Sequence, residues 1–218
     1  MTTQTPQVEK FEGVISKKVS LGYLAYLPEG YEANKSKKWP LLLFLHGAGE
    51  RGSDLNKVKM HGPPKEIESG RKLPFIVIAP QCPENTWWDA DTLTAFVNSL
   101  EKRYRVDRSR EYVTGLSMGG FGTWVLAAAN PRRFAAIAPI CGGGDPAKAG
   151  SISHVPTWVV HGDQDKAVLL DQSVRMVDAL RKAGGTPRFD IIKGGGHDVW
   201  TATYSRDYFY EWLLGNRL

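Results

Sequence analysis

The sequence predicts an α/β protein built on a mostly parallel sheet, and three observations carry that expectation. Continuous apolar runs of strand length recur along the chain, helix-like stretches separate them, and glycine-rich turns follow the runs. At 218 residues with 42% hydrophobic and 23% charged side chains, the chain has the composition of a globular protein with one substantial core. One domain spanning 1–218 is expected.

Taken in order, residues 11–28 alternate around Gly22 and carry β-branched and aromatic side chains, which predicts an antiparallel pair at a sheet edge. The pattern then changes. Residues 39–45 (Trp-Pro-Leu-Leu-Leu-Phe-Leu) form an unbroken apolar run, as a parallel strand covered on both faces requires. Runs at 75–79, 112–114, 134–140, 157–160 and 189–192 repeat it, with helical stretches at 65–68, 92–104, 119–129, 171–183 and 204–214. Strand and helix in alternation predict about eight strands, mostly parallel, with helices on both faces. No repeat, low-complexity segment or linker interrupts the series.

Several function classes lose support at once. The longest apolar run is too short to span a bilayer, and the amino terminus lacks an apolar leader core, so no membrane association is expected. A cytoplasmic location follows, or a secreted one if a leader has been removed. The net charge of +5 is scattered, with only Lys35-Ser36-Lys37-Lys38 resembling a cluster, which reads as a solvated loop and gives no nucleic-acid patch. Cys82 and Cys141 have no C-x-x-C spacing, and neither His61 nor His154 has metal-ligand spacing to another histidine or carboxylate; neither a metal nor an organic cofactor is expected.

The chemistry collects where parallel strands end, the edge at which such sheets bind ligands. Tyr112-Val113-Thr114-Gly115-Leu116-Ser117-Met118-Gly119-Gly120 reads as a strand running into a serine with glycine two positions away on each side. That G-x-S-x-G spacing is a nucleophile elbow, a turn so tight that only glycine leaves room around the serine. The Met118 N–H would then begin a helix and face a developing oxyanion. His46-Gly47-Ala48-Gly49-Glu50-Arg51-Gly52 matches an H-G-x-G oxyanion loop, with Ala48 as second donor and Gly47 or Gly49 as alternatives. His161-Gly162-Asp163-Gln164-Asp165 and Gly194-Gly195-Gly196-His197-Asp198 complete the set. The order serine, acid, histidine is that of α/β-hydrolases and differs from those of other serine-hydrolase folds.

On these residues the chain resembles the α/β-hydrolase superfamily, near its phospholipase/carboxylesterase, dienelactone hydrolase and polyhydroxybutyrate-depolymerase-like esterases. The match runs from about Tyr23 to Leu214, strongest at 41–52, 75–83, 112–124, 134–145, 158–165 and 194–200. The resemblance implies a catalytic Ser117, Asp165 and His197, the acid lying three residues after the glycine of an H-G turn, with Asp163 and Asp171 as competitors. Many relatives place Val-Pro after the acid, where this chain has Lys166-Ala167-Val168-Leu169.

The implied activity is hydrolysis of carboxylic esters through an acyl-enzyme. A peptidase or thioesterase with the same relay is the alternative, and a non-catalytic binding module on this scaffold a distant third. The segment 141–155 offers no large cap, so an open cleft for a small or carrier-linked ester is expected, with Trp87, Trp88 and Trp200 either lining it, which favours a flat acyl group or a sugar, or packing loops onto the core. His46 and His161 are read as turn supports, and Glu50-Arg51 as fixing the oxyanion loop by an ion pair, in preference to touching the substrate. In this topology the strands before Cys82 and Cys141 lie roughly 14 Å apart. A disulfide needs about 7 Å or less, so free thiols are expected.

Overall fold

The protein is described over residues 16–218 from a computed structural model. Seven strands form one sheet among the described residues: β1 Tyr23–Tyr26, β2 Trp39–Leu45, β3 Ile76–Pro80, β4 Val106–Leu116, β5 Ala136–Ile140, β6 Trp158–Gly162 and β7 Arg188–Ile192. Their order is β1-β3-β2-β4-β5-β6-β7. β1 runs antiparallel to β3 at one edge, and the other neighbours are parallel. The expected edge pair is therefore a single described strand. Its amino-terminal half reaches into residues 11–15, outside the described residues.

The helices are α1 Gly62–Glu68, α2 Ala90–Arg103, α3 Met118–Ala129, α4 Asp171–Lys182, α5 Trp200–Tyr204 and α6 Asp207–Leu214. The predicted closing helix is split in two, because Arg206 sits in an extended conformation (φ −89°, ψ 130°) and restarts the chain as the cap of α6.

Side-chain alternation along the strands sorts the core into two layers. Leu41, Leu43 and Leu45 of β2 face Leu93, Val97 and Leu100 of α2, Trp124 of α3 and Val177 and Leu180 of α4. Leu42 and Phe44, one residue out of phase, face Tyr204 of α5 and Phe209 and Leu213 of α6. Every residue of β2 is buried, which is why that segment reads as one apolar run. The layers are thus complementary halves of a doubly covered sheet.

The longest strand, β4, extends well before the apolar stretch that announced it. After a buried Val106, residues Asp107 to Arg110 are partly buried or exposed and carry charge, so apolar periodicity shows only the buried end. Between β5 and β6 the chain makes a short 3-10 turn, Pro146–Ile152, and no cap. No helix among the described residues is long and apolar enough to cross a membrane.

Candidate active site

At the end of β4 the chain turns into α3 through Ser117, whose backbone takes φ 52° and ψ −118°. A residue with a β-carbon pays roughly 1–3 kcal/mol to sit there, so the surroundings must impose the turn. They do so by close backbone approach. A β-carbon on Gly115 would lie 2.3 Å from Gly119 O, and one on Gly119 would lie 1.8 Å from Leu45 O. Glycine at both positions lets α3 begin directly against the end of β2. The Ser117 N–H is held by Ile140 O at 2.9 Å.

From this seat Ser117 Oγ lies 3.0 Å from His197 Nε2, and His197 Nδ1 lies 2.7 Å from Asp165 Oδ2. Asp165 Oδ1 accepts the Ala167 and Val168 N–H groups, both at 2.9 Å. Burial pushes the Asp165 carboxyl up, but the hydrogen bonds from His197, Val168 and Ala167 outweigh it and hold the acid below its ordinary value. An ionised Asp165 accepts only, so Nδ1 of His197 carries the proton and Nε2 is free to accept from serine.

The competing acids are placed elsewhere. Asp163 Oδ1 accepts the Gly194 N–H at 2.7 Å and pins the histidine loop. Asp171 is exposed in the first turn of α4. The two loops are pressed together, since a β-carbon on Gly162 would meet Gly195 O at 2.2 Å.

Met118 opens α3 and Ala48 opens the short 3-10 turn Ala48–Glu50; neither element has a side-chain cap at its start. Both N–H groups therefore lack an intrahelical acceptor, as an oxyanion donor must. The loops bearing them touch, for a β-carbon on Gly47 would lie 2.9 Å from Leu116 Cδ1.

His46 holds the loop that begins at Gly47. Its Nε2 accepts the Cys82 N–H at 2.9 Å, which leaves the proton on Nδ1 to donate to Gly47 O at 2.6 Å. Burial drives its pKa down to about 4, so the ring is neutral. Gln81 Nε2 adds bonds to Glu50 O and Asp54 O, each at 2.8 Å. Arg51 ties the loop to its neighbour through Ala48 O at 3.0 Å and Thr86 O at 3.2 Å. Arg51 does act as a fastener, but through carbonyls. Glu50 faces His46 and His61 instead of Arg51.

The three tryptophans divide. Trp87 is 59% exposed and meets Phe121 edge to face, with ring centroids 6.0 Å apart. Trp88 does not stand open to solvent as Trp87 does. It is buried, packs on the His46 ring at 5.0 Å and donates its indole N–H to His46 O at 3.1 Å. The tight seat against Gly122 explains the burial, since a β-carbon there would come within 2.9 Å of Trp88. Trp200 is also largely buried, with its ring edge-on to His197 at 5.0 Å.

Behind the acid lie two residues whose role sequence did not disclose. His161 Nε2 faces two acceptors, Val168 O at 2.8 Å and Asp165 Oδ2 at 3.2 Å, so that nitrogen carries a proton and donates. The buried Cys141 donates Sγ–H to His197 O at 3.2 Å. Its own burial and the adjacent Asp165 charge push the thiol up to about 12, so it stays neutral. Cys141, His161 and Asp165 bring ligand-type atoms within 4.8 Å of one another. Each is committed to this hydrogen-bonded cluster, which needs no metal to explain it. Both cysteines are free.

Comparison with known proteins follows the same lines. Residues 145–215 match the Prolyl oligopeptidase family. The chain is 26% identical over 187 residues to a probable feruloyl esterase C of Aspergillus terreus, covering 82% of this chain and 68% of that protein. It superposes on a thermostable esterase with a TM-score of 0.79 and 33% identity, covering 92% of this chain and 60% of that one. The chain is an α/β-hydrolase of the serine esterase class. A feruloyl esterase module of Clostridium thermocellum, solved with sinapinate, shares this α/β-hydrolase fold at a TM-score of 0.64 and 21% identity, over 88% of this chain and 81% of that one. The chain therefore spans about two thirds of the length of its feruloyl esterase relative and less of the thermostable esterase.

Proposed function

We propose that this α/β-hydrolase hydrolyses carboxylic esters with Ser117 as nucleophile, His197 as general base and acid, and Asp165 as the group that orients His197. The observation that carries the reading is the unbroken line from Ser117 Oγ through His197 to Asp165 Oδ2, at 3.0 and 2.7 Å, seated on a positive-φ elbow. Ser117 Oγ attacks the ester carbonyl as its proton passes to His197 Nε2, and the carbonyl oxygen becomes an oxyanion facing the Met118 and Ala48 N–H groups. Each such donor is worth on the order of 100-fold or more in rate. His197 returns the proton to the departing alkoxide, and the acyl group stays on Ser117. A water then gives one proton to His197, attacks the acyl carbon, and releases the acid as Ser117 takes the proton back. The reading takes residues 1–218 as one catalytic domain and requires no cofactor.

An aromatic acyl group is the favoured substrate feature. The exposed Trp87 beside Phe121 offers it a stacking surface, Phe121 lying one helical turn after Ser117. The relationship to a probable feruloyl esterase supports the same choice. Because residues 145–215 match the Prolyl oligopeptidase family, amide cleavage is the second reading, and thioester cleavage uses the same relay. Matched aromatic ester, amide and thioester substrates separate the three. Ser117→Ala should lower ester turnover by on the order of 10⁴-fold or more. Full turnover in that variant, or a folded wild type that a fluorophosphonate leaves unlabelled at Ser117, would refute the assignment.

A further inference from the structure

We infer that Glu50 and His61 form a subsite for one hydroxyl group on the alcohol portion of the ester, an inference that rests on the esterase reading above. Glu50 Oε1 and His61 Nε2 are 3.7 Å apart, too far for a hydrogen bond, yet one oxygen can sit about 2.8 Å from both. Three side-chain atoms in this corner are buried and have no hydrogen-bond partner among the described residues: Glu50 Oε2, His61 Nδ1 and Trp200 Nε1. Polar groups buried in this way are uncommon, and a hydroxyl between Glu50 Oε1 and His61 Nε2 would bond the two residues that carry two of them. The triad spends none of these atoms, and His46, whose Nδ1 lies 3.8 Å from Glu50 Oε2, already donates that proton to Gly47 O.

The chemistry of the pair selects a hydroxyl. A bare nitrogen lone pair costs less than a bare N–H, so an enclosed and unpartnered His61 Nδ1 leaves the ring proton on Nε2. His61 Nε2–H then donates to the ligand oxygen, and the ligand O–H donates to Glu50 Oε1. An ether oxygen can satisfy His61 but gives Glu50 nothing. A second carboxylate on the ligand would be repelled.

Position selects the alcohol side. The leaving oxygen must reach His197 Nε2 to be protonated. Trp200 stands edge-on to His197 at 5.0 Å, and His61 edge-on to Trp200 at 5.7 Å, so the subsite continues from the proton donor. Glu50 is 8% exposed, and its backbone is fixed by Gln81, so the acceptor is rigidly held. The His61 side chain, 26% exposed, opens the corner to solvent.

The test uses two substrate pairs, each rate divided by that of alkaline hydrolysis. The alcohol-side pair is 2-hydroxyethyl and 2-methoxyethyl acetate; the acyl-side pair is ethyl glycolate and ethyl methoxyacetate. Wild type should prefer the hydroxyl of the first pair by roughly 10- to 100-fold in kcat/KM, the discrimination a charged acceptor provides, and show no comparable preference in the second. His61→Phe should bring that ratio close to one. His61→Gln, whose amide nitrogen can overlay Nε2, should restore most of it, and Glu50→Gln should reduce it, with thermal melts showing that each variant is folded. Equal use of the first pair by wild type, a preference confined to the second pair, or an unchanged ratio in folded His61→Phe overturns the subsite and leaves the esterase reading standing. A folded wild type inert toward all four esters refutes the esterase reading, and the subsite with it.

Discussion

Replacing Asp165 with asparagine tests whether this acid does its work by fixing a proton on one nitrogen of His197. The structure dictates how the new amide would sit. Two backbone N–H groups, from Ala167 and Val168, point at Oδ1 from 2.9 Å, so the amide oxygen belongs there and the NH₂ falls opposite His197 Nδ1. His197 can then meet the amide only by accepting at Nδ1, which moves its proton to Nε2, where it faces Ser117 Oγ and blocks proton uptake. Rotating the amide would restore the tautomer but turn NH₂ toward two buried N–H groups, each costing about 1–3 kcal/mol when left unpaired. Active enzyme is therefore reached at a penalty of about 2–6 kcal/mol, a rate loss between roughly 30-fold and 10⁴-fold. The expected drop in kcat/KM for p-nitrophenyl acetate at pH 8 is on the order of 10³-fold, with the melting temperature measured in parallel. Asp171→Asn, on the exposed face of α4, is the control, expected within about threefold of wild type. A folded Asp165→Asn enzyme within tenfold of wild type would show that the Asp165 charge and its fixed orientation do not set the tautomer.

Other perturbations probe the frame around that relay. Ser117→Gly removes the β-carbon from a φ of 52°, and the strain relieved exceeds the added chain entropy by about 1 kcal/mol. The variant should be inactive yet melt roughly 2–4 °C higher, while Ser117→Ala, inactive too, should show no such gain in calorimetry. His46 binds a proton in the folded state only near pH 4, against an ordinary 6.5 when unfolded, so acidification from 6.5 toward 4 favours the unfolded chain. Urea titrations should show about 3 kcal/mol of stability lost across that window, and His46→Gln should flatten it. Trp88→Phe should lower stability by about 1–3 kcal/mol by stranding His46 O, whereas Trp87→Ala should leave the melt nearly unchanged and raise KM for aromatic acyl esters.

The doubly covered sheet was legible because burial on both faces forces an unbroken apolar code, as from Trp39 to Leu45. The partly exposed start of β4 and the break before α6 carried no such code, so strand length and helix division emerged only from the structure. The elbow was legible for a steric reason: a β-carbon at Gly115 or Gly119 cannot coexist with Leu45 O or Gly119 O, so the spacing of glycines records the turn. Tryptophan keeps no such record. Trp87 and Trp88 are adjacent and identical in type, and only the packing against Gly122 and His46 makes one a buried brace and the other an exposed ring.

The same limit explains what sequence could not say about the acid. A fully buried carboxylate needs its lone pairs met, and Asp165 meets them with the Ala167 and Val168 N–H groups that follow it and with His197, 32 residues away, while His161 Nε2 stands 3.2 Å from Oδ2. Reading His161 as a turn support is correct for its bonds to Val168 O and Ser173, but it omits the ring nitrogen that this turn places 3.2 Å from Asp165 Oδ2. Cys141 completes the enclosure with a neutral thiol, its own backbone at φ 48°, where burial beside a carboxylate forbids a thiolate. The carboxylate beneath Ser117 and His197 is therefore enclosed by donors from Ala167, Val168 and His197. That arrangement lets a buried negative charge persist at 2.7 Å from the histidine it orients.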